Sequence, residues 1–310
     1  MAATVLIAGG TGLIGQALTA QLLNAGYRVI LLTRTVAAAQ KKFANHPALA
    51  FSEWNVEKGQ INTDLFTTVD HIINLAGEGV ADRRWTPQRK KEIEESRVAA
   101  GRLLTRQLLS HPHTVKTYIG ASAIGWYGPD AVPMIRAFRE DDLPANDFLG
   151  TTCMQWEAST SQLATTAIRC VTLRIGIVLT PNGGALLEFL KPLRMGVATI
   201  LGKGYQKVSW IHIEDLASIF LYAVKTPTVQ GIYNAVSPAP VSNQELIRTL
   251  AWARGKFFFP IRIPTWLLQL VMGEMSIEVL KSTTVSAEKI LQTGFQFRYP
   301  TIREALASFF

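Results

Sequence analysis

The chain has 310 residues, 48% of them hydrophobic and 17% charged, with a net charge of +8. Such a composition is too apolar for disorder and suffices for one large core or two smaller ones. Two cysteines, Cys153 and Cys170, cannot build a disulfide framework, and no apolar run reaches the length of a membrane span.

A strand signal begins at residue 3, so no secretory leader is expected, and with the cysteine count this reads as a cytoplasmic protein. The charge excess raises nucleic acid as a partner. However, the densest cluster, Arg83, Arg84, Arg89, Lys90 and Lys91, runs into Glu92, Glu94 and Glu95. That is the pattern of a solvated helix face with mixed charge pairs. Neither nucleic acid nor membrane is expected as a partner.

In chain order, Val5 to Ala8 read as a buried strand, and Gly9, Gly12 and Gly15 then mark a tight turn into the apolar-periodic run Leu13–Leu23. A dinucleotide pyrophosphate needs this arrangement. One glycine turns the chain, one admits the phosphates to the backbone, and one lets helix pack on strand. The uncapped helix start offers N–H groups and a positive dipole end to the anion.

Further strands are expected near 28–32, 48–54, 70–75, 115–121 and 168–175. Helices are expected near 12–25, 87–110 and 148–166, with shorter ones near 36–44 and 62–68. The alternation implies an α/β fold with a doubly wound parallel sheet, in which ligands bind at the carboxyl ends of strands. Gly9, Arg34, Asn55, Ala76, Ser122 and Gly176 fall at those ends and should converge on one cleft. The second strand ends in Arg34, with no acid until Glu53. A carboxylate there would accept the ribose 2′-OH of NAD, whereas a guanidinium suits the 2′-phosphate of NADP, so NADP(H) is expected.

Beyond residue 176 the alternation loosens into turns at Pro181–Gly184, Gly202–Gly204 and Ser237–Pro240. One helix is expected near Asp215 and another after Ser242, where Ser242 and Glu245 fit a capping box. The segment 257–280 is rich in Phe, Trp, Leu and Met. Its cations are too sparse for a membrane-seeking helix, so burial in a small cap is expected.

Together these residues resemble the extended short-chain dehydrogenase/reductases, and more narrowly their atypical epimerase-family (YfcH-like) subgroup. The matching segments are GGTGLIG at 9–15, INLAGE at 73–78, RRWT at 83–86, SAIGWYG at 122–128 and CMQWE at 153–157. They continue with LRIGIVL at 173–179, SWIHIEDLA at 209–217, GIYNAVSP at 231–238 and MGEMS at 272–276. The resemblance implies a Rossmann domain over 1–176 with a return segment near 211–235, and a C-terminal cap from 177–210 and 236–310. It also implies that Thr11, Gly12, Leu13 and Ile14 cradle the pyrophosphate and that Arg34 meets the 2′-phosphate. Asn55 and Val56 would lie near adenine, Leu75, Ala76 and Gly77 near ribose, and Gly176 and Val178 near nicotinamide. Ser122 would orient a substrate carbonyl or hydroxyl.

Active members of that superfamily use a Tyr followed four residues later by Lys, whose ammonium lowers the phenol pKa for proton transfer. None of the seven tyrosines here has that lysine, and Leu149 and Cys153 stand where the pair would. Several residues compete to replace it. Glu78 is a general base or a solvated loop acid. Tyr127 shapes the pocket or donates a proton, and Cys153 is a thiol acid or a small buried hydrophobe. Arg84 and Trp85 hold an anionic or ring-bearing substrate or anchor their loop. Arg97 binds substrate or pairs with Glu94. Trp156 and Glu157 read as packing and capping residues, and His212 with Asp215 as a structural junction. No His/Cys cluster suggests a metal. The function expected is an NADP(H)-dependent oxidoreductase or epimerase-like enzyme on a small-molecule substrate, with a homodimer left open. The alternative is an NADPH-binding sensor or scaffold without turnover.

Overall fold

The computed structural model describes residues 2–255 and 258–310. Strand β1 (Thr4–Ala8) is buried along its whole length, as an apolar strand with layers on both faces should be. It is followed by β2 (Arg28–Thr33), β3 (Leu49–Asn55), β4 (Gln60–Ile61), β5 (His71–Asn74), β6 (Thr117–Ala123) and β7 (Arg169–Ile175). The C-terminal part adds β8 (Ile177–Leu179), β9 (Val197–Leu201), β10 (Lys207–Val208), β11 (Trp210–His212), β12 (Gly231–Ala235), β13 (Val241–Ser242) and β14 (Phe259–Ile263).

One eight-stranded sheet has the order β12-β7-β6-β5-β1-β2-β3-β4 and is parallel except for β4. The order reverses at β1, which pairs with β2 on one side and β5 on the other. This is the switch point where an α/β sheet opens a crevice. Alternate residues of β1 feed two cores. Val5 and Ile7 join the helices α1 (Leu13–Asn24) and α6 (Ile213–Lys225), while Leu6 and Ala8 join α3 (Pro87–Ser110). The fold is a Rossmann-like α/β sandwich.

The helix expected over 148–166 stops at Ala158 and gives way to a single tighter turn, Ser161–Thr165. Ser159, Thr160 and Ser161 donate their hydroxyls back to the carbonyls of Trp156, Glu157 and Ala158 and so compete with the helical ladder. Short α2 covers Val36–Gln40, α4 is Phe148–Ala158 and α5 is Gly184–Leu193. The helix near Asp215 begins at Ile213, capped by His212. At Ser242 only half of the expected capping box forms, through its acceptance of the Glu245 N–H; the reciprocal box is at Thr301 and Glu304.

A third core gathers Leu179, Leu186, Leu190, Trp210, Leu246, Leu250 and Leu306, with β9 contributing Ala198 and Ile200. The expectation that 257–280 is buried there fails, although Phe257 itself lies outside the described residues. Phe259, Ile261, Trp266, Leu270, Val271 and Ile277 are exposed, Trp266 at 65% and Leu270 at 66%. The reason is positional. Among the described residues strand β14 pairs only with β9, at the edge of the third core. The helix Thr265–Met272 leads away from it toward α3, where Glu274 pairs with Lys90. Among the described residues no helix is long and apolar enough to cross a membrane.

Candidate functional site

The glycine turn is built as its spacing implies. Gly9 adopts a φ of +78°, and a Cβ there would lie 2.7 Å from the Leu75 carbonyl, so the turn closes against the end of β5. A Cβ on Gly15 would come 2.5 Å from Gly10, which is how α1 packs down on β1. Gly12 differs: its Cβ would meet only the Gly9 oxygen, at 3.3 Å. Gly12 caps α1 without any side-chain hydrogen bond, and no acid stands in the first turn. An open glycine, free first-turn N–H groups and a positive helix end together fit a dinucleotide pyrophosphate. Thr11, Leu13 and Ile14 sit around this opening, and Leu13 packs against the Gly183–Gly184 turn.

At the adenosine end, Arg34 follows β2 and is almost fully exposed. Lys42 donates its ammonium to the Thr11 carbonyl at 3.3 Å. Lys42 escaped the sequence reading because one cation after a short helix carries no motif; only the fold brings it to the glycine turn. Asn55 is already engaged, accepting the Lys58 N–H at 2.9 Å to close a surface turn. Leu75 and Ala76 line the β5 end, partly exposed, and Gly77 is exposed, with a Cβ there coming 3.0 Å from the Arg97 side chain. At the far end, Gly176 has a packing task. A Cβ there would meet the Ser209 carbonyl at 2.8 Å and Val236 at the same distance. Val178, in β8, pairs with Ile211.

The residues put forward for chemistry are not gathered in the cleft. Ser122, 1% exposed, donates its hydroxyl to Glu157 at 2.7 Å. Glu157 is held in turn by Arg174, whose Nε and Nη2 donate to the two carboxylate oxygens at 2.9 and 3.0 Å. Arg174 also donates to the Tyr127 hydroxyl at 3.0 Å and lies over the Trp126 ring at 3.7 Å. Tyr127 donates to Asn234 at 2.7 Å. Burial pushes its phenol up to about 12, against the pull of Arg174. Within this sealed network the Tyr127 hydroxyl is held between Asn234 and Arg174, and the Ser122 hydroxyl is turned to Glu157. Sequence reading missed Arg174 and Asn234 and took Glu157 for a capping residue. The available signal was polarity inside apolar strands, Leu173-Arg174-Ile175 and Tyr233-Asn234-Ala235. Cys153 is a buried thiol pushed up to about 12 by desolvation, the packing alternative rather than the acid.

Glu78 is not brought to Ser122 either. Its carboxylate lies 3.9 Å from Arg34 and 3.7 Å from Arg89. Arg89, expected on a solvated face, is buried, because its guanidinium donates to the Gly79 carbonyl at 2.7 Å and to Glu92 at 3.0 Å. Lys91 and Glu95 do pair on the outer face. Arg97 spends its guanidinium on the carbonyls of Ile93 and Glu78, at 2.8 and 2.9 Å, instead of pairing with Glu94. Burial holds its pKa below the usual guanidinium value. Trp85 donates to the Val80 carbonyl and sets its ring edge-on to Phe148, so it anchors its loop to the start of α4. Arg84 remains exposed, beside Gly273. His212 accepts the Glu214 N–H, and burial drops its pKa to about 4; Asp215 accepts the N–H groups of Arg298 and Tyr299. Among the described residues no acid, His and Cys cluster could hold a metal.

Residues 5–235 match the NAD dependent epimerase/dehydratase family, and residues 263–309 match a domain of unknown function, DUF1731. The chain belongs to the NAD dependent epimerase/dehydratase family. It is 33% identical over 308 residues to the human epimerase family protein SDR39U1, covering 97% of this chain and 98% of that protein. It is 31% identical over 304 residues to epimerase family protein YfhF of Bacillus subtilis, covering 98% and 96%. A crystal structure of human SDR39U1 with NADPH superposes with a TM-score of 0.86 at 30% identity, covering 99% of this chain and 98% of that one.

Proposed function

We propose that this chain binds NADP(H) in the glycine turn and is an oxidoreductase or epimerase-like enzyme on a small substrate. The observation that carries the cofactor is the start of α1, open at Gly12 with no side-chain cap and with Lys42 on the neighbouring Thr11 carbonyl, while Arg34 stands exposed at the end of β2. The NADPH in the human relative's crystal structure supports it. Thr11, Gly12, Leu13 and Ile14 would hold the pyrophosphate, Arg34 and Lys42 the 2′-phosphate, and Leu75, Ala76 and Gly77 the ribose. When bound, the nicotinamide supplies hydride chemistry. Residues 1–176 with 211–235 then form the cofactor-binding unit. Residues 177–210 and 236–310 form the unit that selects the substrate, with Arg84 exposed at its edge. Arg34→Asp should weaken NADPH binding about ten- to a hundred-fold, the worth of charge-assisted hydrogen bonds to a phosphate, and spare NADH. Equal loss of both in a fluorescence titration refutes the assignment.

One observation favours a second reading, an NADPH-binding sensor without turnover: both Ser122 and Tyr127 are sealed in the Arg174 network. Incubation with NADPH and a broad panel of carbonyl compounds separates the two. Oxidation of NADPH that falls in Ser122→Ala supports the enzyme. Tight NADPH binding with no oxidation across the panel supports the sensor.

A further inference from the structure

The ion pair between Arg34 and Glu78 has an unequal construction. The Glu78 backbone is anchored on both sides, and its carboxylate leans on a buried cation. Its N–H donates to the Ser96 hydroxyl at 3.0 Å, its carbonyl accepts from Arg97 at 2.9 Å, and one carboxylate oxygen lies 3.7 Å from the buried Arg89. Arg89 is itself immobilised by Gly79 and Glu92. Arg34 is the opposite: its side chain is 86% exposed, and no hydrogen bond holds it among the described residues, only Glu78 at 3.9 Å. The two residues follow different strands. Arg34 leaves β2 and Glu78 leaves β5, with β1 between them in the sheet. Neighbouring strands lie about 4.8 Å apart, so the guanidinium reaches across the end of β1, beside the glycine turn.

We infer that Glu78 is a built-in competitor for Arg34, a carboxylate on an anchored backbone that the 2′-phosphate of NADPH must displace, and that it thereby narrows the preference for NADPH over NADH. The inference rests on the cofactor reading above and extends it. A phosphate arriving near Thr11 and Lys42 finds Arg34 already neutralised on its other side. It gains the guanidinium only by taking it from Glu78. NADH makes no such demand and leaves the pair intact. Because the pair is exposed and 3.9 Å long, its competition is modest, worth a few-fold in affinity. Glu78 therefore narrows a selectivity that Arg34 creates, and acts as a positioning residue through Arg34.

The test is a set of NADPH and NADH titrations, followed by nicotinamide fluorescence, on the wild-type chain, Glu78→Gln, Arg34→Ala and the double variant. Glu78→Gln should tighten NADPH about threefold and leave NADH unchanged. In the Arg34→Ala background Glu78→Gln should have no effect on NADPH. A gain that persists there means direct repulsion of the phosphate and overturns the inference. So does an equal gain for NADH, or a loss for NADPH. A wild-type chain that binds neither dinucleotide overturns the cofactor reading itself.

Discussion

Replacing Arg174 by Met tests the network that seals Ser122 and Tyr127. The methionine keeps the apolar volume above Trp126 but removes both hydrogen bonds to Glu157, the one to Tyr127 and the one to the Glu140 carbonyl. Glu157, whose side chain is 12% exposed, is then left with the Ser122 hydroxyl as its remaining side-chain partner. Breaking a buried pair by removing one member costs about 3–5 kcal/mol, because a desolvated charge is stranded. At about 2 °C per kcal/mol for a large domain, that is a fall of roughly 6–10 °C in Tm. Urea unfolding and thermal melts of Arg174→Met give the cost directly. The double variant Arg174→Met with Glu157→Leu should recover most of it, since an apolar replacement of both partners removes the stranded charge. A loss below about 1 kcal/mol in the single variant would refute the reasoning. A double variant no more stable than the single would do the same.

Gly12→Val should leave the fold intact, since a Cβ there meets only the Gly9 oxygen, but should abolish NADPH binding by filling the cradle; melts and titrations on one sample decide it. His212 stays neutral in the fold down to about pH 4, whereas the unfolded chain takes up its proton near 6.5. Stability should therefore fall as pH drops from 6.5 toward 4, and His212→Asn, which keeps a capping acceptor, should flatten that part of the urea-midpoint profile. Cys153, buried and pushed up to about 12, should resist alkylation in the native protein at pH 8 and react at once in urea; rapid native labelling would contradict its burial.

The elements that position the cofactor are legible in sequence because their signals are local. The glycine spacing at 9–15 and the apolar period of α1 lie within a few residues of the turn they build, and Arg34 is read from its place directly after β2. The same holds for most strands of the main sheet, whose apolar runs match the observed Thr4–Ala8, Arg28–Thr33 and Arg169–Ile175. Where local side chains compete with the backbone, as at Ser159–Ser161, the helix boundary is missed even though the responsible residues are visible.

The chemistry-bearing residues behave differently. Glu157 and Arg174 lie on a helix and a strand, Tyr127 on the turn after β6, and Asn234 on a strand contributed from beyond residue 230. Their pairing is a long-range outcome, and no spacing rule joins them. The same holds for Glu78, an acid at a strand end in the sequence, which the packing of α3 turns toward Arg34 and Arg89. The exposure of 259–277 also depends on which face of β14 the third core reaches, which composition does not encode. Local sequence alone thus determined that a glycine turn of the dinucleotide type follows the first strand, because backbone conformation and strand-end position are near-neighbour properties. Which hydroxyls are sealed and which carboxylate meets which guanidinium was decided by the tertiary structure, because burial and ion pairing belong to residues brought together across the sheet.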